Sequence, residues 1–251
     1  MRAVATRLTI LVVGLAVLAA GCTKSDLLAD MAALDRAYIP ALALTSQSSP
    51  AMAQKAVKVL VESWQTFKAR YWKGMADDPE WRADLAYVDA RIAEAVAIAA
   101  VGANLVEAHE ALERVRLRLL ETRQQRLGLD YYVDYLTVFH GPMEEIYLAA
   151  NGKTPATLTD ADIAKIAGTL PEAWTAWGQV EIARFDNSIF RLSAQKLAER
   201  RQYLKAGADT LIAVEVALRR NDRAGLIQAA TQLRTNFVKL FVLFGDFDAL
   251  K

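Results

Sequence analysis

Cysteine and histidine are scarce in this 251-residue chain, and each scarcity removes a class of chemistry. Cysteine occurs once, as Cys22, so no disulfide within the chain and no multi-thiolate metal site can form, and the Cys-x-x-Cys-His attachment of covalent haem is missing. Histidine occurs twice, as His109 and His140. G-x-S-x-G, a phosphate-cradling Gly-rich loop and H-E-x-x-H are all absent. A nucleophile with its base would have to be assembled from isolated serines such as Ser63 or Ser188, and the expectation is a protein that is not an enzyme. Charge of one sign is not in excess either. Lysine and arginine total 30 against 29 acidic residues, so nothing advertises a nucleic-acid partner.

What is present begins with a short apolar run. Arg2 and Arg7 precede Leu8 to Ala20, and the run closes with Leu18-Ala19-Ala20-Gly21-Cys22. Its 13 residues fall short of the roughly 20 a helix needs to cross a bilayer, which reads as an export signal over residues 1–21. The closing residues resemble the lipobox of bacterial lipoproteins, with Ala19 standing where that pattern usually has leucine and Leu18 one place further from the cysteine. The resemblance covers residues 1–23 and implies that Cys22 becomes the lipidated first residue, anchored in a lipid bilayer by acyl chains. Thr23 after the cysteine, where lipoproteins held at the inner membrane often have aspartate, implies the outer membrane, facing the periplasm.

Beyond Ser25 the apolar residues recur at spacings of three and four among abundant Ala, Leu, Arg and Glu, and strand-like alternation is absent. The fold class expected is all-α, an antiparallel helical bundle. Leu85, Val88, Ile92, Val96, Ala99, Leu105, Leu112 and Leu119 form one stripe from Glu80 to about Leu127. If the chain runs straight through Gly102, that is a single helix of about 70 Å at 1.5 Å per residue. Ser48-Ser49-Pro50 and Asp77-Asp78-Pro79-Glu80 read as caps with Pro in the first turn, and Gly128, Asn151-Gly152 and Asn221-Asp222 as stops.

Two stretches resemble one another in the same order. Tyr38-Ile39-Pro40 corresponds to His140-Gly141-Pro142, Glu62 to Phe67 corresponds to Glu172 to Trp177, and Leu105 to Leu112 corresponds to Leu226 to Leu233. The reading is two tandem four-helix units, over residues 22–127 and 128–251.

Each histidine stands four residues before a carboxylate, His109 before Glu113 and His140 before Glu144, which places both members on one helix face. His109, Glu113, His140 and Glu144 are therefore candidate ligands for copper, iron or zinc held between helices, with Arg116 behind them. An antiparallel return at Gly128-Leu129 sets Arg116 level with His140 and Glu113 level with Glu144. It leaves the imidazoles about 12 Å apart along the axis, too far for bis-histidine haem and long for one ion. Structural ion pairing explains the same residues. Trp64, Trp72, Trp81, Trp174 and Trp177 fit core packing, as do Phe237, Leu240, Phe241, Phe244 and Phe247 at the C-terminus. Arginines 114, 116, 118, 123 and 126 alternate with Glu110, Glu113 and Glu121 as on a solvated face. The function these observations favour is a non-catalytic envelope lipoprotein whose helical body binds a protein partner or supports an assembly. Metal binding through the His/Glu cluster is the alternative.

Overall fold

The computed structural model describes residues 23–47, 49–72, 78–102 and 104–251. The signal segment, Cys22, Ser48 and Asp77 lie outside the described residues. No strand occurs among those described, and the protein is an all-α helical bundle. Its helices are α1 (Lys24–Thr45), α2 (Pro50–Tyr71), α3 (Pro79–Val101), α4 (Leu105–Glu121), α5 (Tyr132–Ala150), α6 (Asp160–Ile182), α7 (Asn187–Phe190), α8 (Ala194–Arg219) and α9 (Arg223–Val242).

Local chemistry sets the ends. Thr23 and Asp26 exchange hydrogen bonds at the start of α1, as Thr159 and Asp162 do at the start of α6, so two of the orphan amides of each first turn are satisfied reciprocally. Asp78 caps α3 by accepting from the amides of Glu80 and Trp81, with Pro79 in the first turn. Gly128, Gly152 and Asn221 all take positive φ, as stops of the left-handed kind require.

The long stripe from Glu80 to Leu127 is broken. Gly102 adopts φ +69°, its amide donates to Ile98 and Ala99, and Asn104 caps the next helix. The chain reverses there, so α3 and α4 pack side by side, with Glu94 beside Arg114 and Asp84 beside Arg118. Leu85, Val88, Ile92 and Ala99 are buried on α3 and Leu112 and Leu119 on α4, whereas Val96 faces solvent.

α1 packs on α2 and α4, and α3 on the same two, closing a four-helix ring. α5 packs on α6 and α9, and α8 on the same two, closing a second. The rings touch through α1 against α7 and α9 and through α4 against α5, and their buried side chains form one continuous core. Trp64, Trp81 and Trp177 lie within it, Trp72 and Trp174 pack against its edge, and Phe237 and Phe241 near the end of α9 join it with Phe244 just beyond.

Pro40 lies inside α1. A proline has no amide to offer the carbonyl four residues back, here that of Arg36. The backbone N–H of Asp246, in the segment leaving α9, donates to that carbonyl at 2.8 Å. Gly245 permits the approach, because a Cβ there would stand 3.0 Å from Ile39, Pro40 and Phe247. The end of the second ring is thereby fastened to the first helix of the first.

The arginine series expected on a solvated face divides instead. Arg114 and Arg118 remain at the surface with carboxylate partners, but Arg123 is 2% exposed and Arg116 is 4% exposed. The last turn after α4, Thr122–Arg126, widens into a π-helix. Arg123 follows buried Leu119 by four residues and so continues the inward stripe of α4 into that turn.

Candidate functional site

α1, α4, α5 and α9 surround a cavity of about 460 Å³ at the junction of the two rings. His109 and Glu113 enter it from successive turns of α4, and His140 and Glu144 from successive turns of α5. Arg116 lies one turn beyond Glu113. The apolar part of the lining is Leu42 on α1, Met143 and Leu148 on α5, and Phe237, Val238, Phe241 and Val242 at the end of α9, with the Phe237 ring 5.4 Å from that of His140 and Phe241 6.0 Å from the Arg116 guanidinium. All five residues singled out by the sequence line this one space. Sequence reasoning missed Arg234 on α9, although it follows Leu233 as Glu113 follows Leu112 in the matched segments.

The polar groups form a chain of contacts. His109 donates from Nδ1 to the carbonyl of Leu42 at 3.0 Å, since a carbonyl can only accept, and its Nε2 stands 3.6 Å from Glu113 Oε1. Glu113 accepts from Arg116 through its other oxygen. The same guanidinium nitrogen, Nη2, donates to His140 Nδ1 at 2.7 Å, which leaves the proton of neutral His140 on Nε2, 4.0 Å from Glu144 Oε2. Arg234 approaches the same Glu144 oxygen at 3.6 Å and lies over the ring of Tyr147.

Burial and the neighbouring Arg116 push His140 down to about 2, so the ring is neutral at physiological pH. Burial raises Glu144, against the opposing pull of Arg234. Metal chemistry finds modest support in this arrangement. His140 accepts from a guanidinium where a ligating imidazole ordinarily donates to a carboxylate or carbonyl. Among the described residues, no three His, Asp or Glu side chains are grouped closely enough to hold a metal ion.

A second polar centre, unforeseen in the sequence, lies deeper. Arg123 donates from Nε to both oxygens of Asp134 at 2.8 and 3.0 Å, and Tyr131 donates to Asp35 at 2.7 Å beside them. Asp134 is fully buried at the start of α5, and Asp35 is buried on α1. Burial raises Asp35, and raises Asp134 to about 6 despite the guanidinium. This centre ties α1, the π turn and α5 together.

Compared with family models, with curated proteins and with solved structures, the chain matches none.

Proposed function

We propose that this protein is an exported lipoprotein, held by lipidated Cys22 at the periplasmic face of the outer membrane, whose two rings of helices form a non-catalytic binding module. The observation that carries the binding role is the cavity where the rings meet, into which both histidines of the chain and ionic residues from three different helices converge. Its volume of about 460 Å³ lies within the range of small-molecule sites, and it joins a polar side to an apolar wall as such sites do. The anchoring role is supported by the lipobox-like ending at Cys22 and by the fact that no described helix is long and apolar enough to cross a membrane. Thr23 already caps α1, so a lipid on the preceding residue would hold the helical body against the bilayer with no linker.

Intact-mass analysis of the native protein tests the anchor. A start at Cys22 carrying acyl chains is expected, with the Cys22→Ser variant lost from the membrane fraction. A thiol without acyl chains would refute it. A thermal-shift screen of the full chain against small metabolites tests the module. At least one compound should raise the melting temperature, and Val238→Trp, which fills the cavity, should abolish that rise. A screen with no stabilising compound, or one indifferent to Val238→Trp, would count against a binding role for this cavity.

Binding of copper, iron or zinc through His109, Glu113, His140 and Glu144 has one observation in its favour, the ring nitrogen of His109 that faces Glu113. It leaves the volume and the apolar wall of the cavity without a role.

A further inference from the structure

We infer that the ligand of this cavity is a small organic cation, a protonated amine with an apolar body, seated with its charged head between His109 and Glu113. This inference rests on the cavity being a binding site and names the chemistry of what it takes.

Hydrogen-bond accounting carries the first step. With its ring uncharged, His109 spends its one N–H, at Nδ1, on the carbonyl of Leu42, and Nε2 then presents a lone pair to the cavity. The nearest group to it is Glu113 Oε1, at 3.6 Å, which is also an acceptor. In that state two acceptors face each other with no donor between them. The guanidiniums that line the cavity do not fill the gap. Arg116 is engaged by the second oxygen of Glu113 and by His140, and Arg234 is drawn to Glu144 and the face of Tyr147. An N–H donor placed between His109 and Glu113 completes both acceptors and breaks no existing contact.

Charge carries the second step. Glu110, Glu113 and Glu144 line the cavity against Arg116 and Arg234, so with both imidazoles uncharged three carboxylates outnumber two guanidiniums. A cation is drawn into this excess.

Size and shape carry the third. A bare ion would occupy a small part of about 460 Å³. Phe237 and Phe241 stack on each other at 5.7 Å between centroids and, with Leu42 and Val238, offer an apolar surface adjoining the charged groups. The ligand that uses both halves has a positive head and an apolar or aromatic body.

The test is calorimetric titration of the full-length protein in detergent with phenethylamine, 3-phenylpropanoate, 2-phenylethanol and zinc chloride as separate probes. Phenethylamine is expected to bind at least tenfold more tightly than the carboxylate or the alcohol. Glu113→Gln should weaken the amine at least tenfold. His109→Leu, which leaves the Glu113 pair with Arg116 in place, should weaken it similarly and serves if Glu113→Gln does not fold. Carboxylate or alcohol binding as tight as the amine, or amine binding indifferent to His109→Leu, overturns the inference. So does stoichiometric zinc binding lost in His109→Ala with no amine uptake, an outcome that would leave the cavity a binding site. Failure of all four probes also overturns it, while the metabolite screen and Val238→Trp decide separately whether the cavity binds anything.

Discussion

Arg116 Nη2 donates to His140 Nδ1 at 2.7 Å, so a cation on the first ring of helices sets the tautomer of a neutral imidazole on the second. The consequence is a pH dependence of definite sign. An unfolded chain protonates this histidine near 6.5, whereas burial and Arg116 hold the folded ring down to about 2. Stability from this residue is therefore fully present above pH 6.5 and is lost as pH falls, at about 1.4 kcal/mol per pH unit. Asp134 works in the opposite direction. Its folded value is raised from 3.8 to about 6, so the native state takes up its proton first and gains stability as pH falls between those values. The two slopes offset one another in wild-type protein. His140→Gln removes the first alone, and its stability relative to wild type should rise by about 1 kcal/mol on going from pH 6 to pH 5 in urea unfolding. Parallel pH profiles for the two proteins would show that His140 titrates as an ordinary histidine.

Arg123 and Asp134 form a buried, doubly bonded pair. Removing one member leaves the other charge without its partner in the core. Arg123→Met should cost about 3–5 kcal/mol by urea unfolding. The double variant Arg123→Met with Asp134→Leu should cost less than the single change, because no orphaned charge remains on either side. Equal losses in the two proteins would place the cost in lost packing.

The contrast between these two centres shows what a sequence can reveal. His109, Glu113, His140 and Glu144 stood out because each pair sits four residues apart on a helix, and a level antiparallel return already set Arg116 opposite His140. The all-α class was legible for the same reason, since periodicity is a local property of the chain. Arg123 was not legible. Its neighbours alternate in charge as on an exposed face, and although it continues the stripe of Leu112 and Leu119, a buried arginine needs a buried partner, Asp134, that only the packing of α5 supplies. The reversal at Gly102 was ambiguous because both helices keep apolar residues in a stripe, and a single residue at positive φ decides between one helix and two. Arg234 reached the cavity through the packing of α5 on α9, a contact between segments far apart in sequence.

Pro40 frees the carbonyl of Arg36 to receive Asp246. In Pro40→Ala, the new amide at position 40 would compete for the same acceptor within α1. The Asp246 amide should then exchange with solvent about two- to tenfold faster by hydrogen exchange and mass spectrometry, the range corresponding to one hydrogen bond of about 0.5–1.5 kcal/mol. Amides in the middle of α2 should be unaffected. Unchanged exchange at Asp246 would mean that the C-terminal segment is held by the packing of Gly245 and Phe247 alone.

Gly207 on α8 lies under the indole of Trp177, and a Cβ added there would stand 2.3 Å from the ring. The ring is itself buried against Phe139, 4.7 Å between centroids, so it has little room to retreat. Gly207→Ala should therefore destabilise the protein by about 1–3 kcal/mol despite the better helix propensity of alanine, which alone would favour the variant by about 1 kcal/mol. The two contributions separate in a double-mutant cycle with Trp177→Leu. Once the indole is gone the clash is gone, and Gly207→Ala in that background should cost nothing or stabilise slightly. The same cost in both backgrounds would show that α8 resists alanine at this position for reasons unconnected with Trp177.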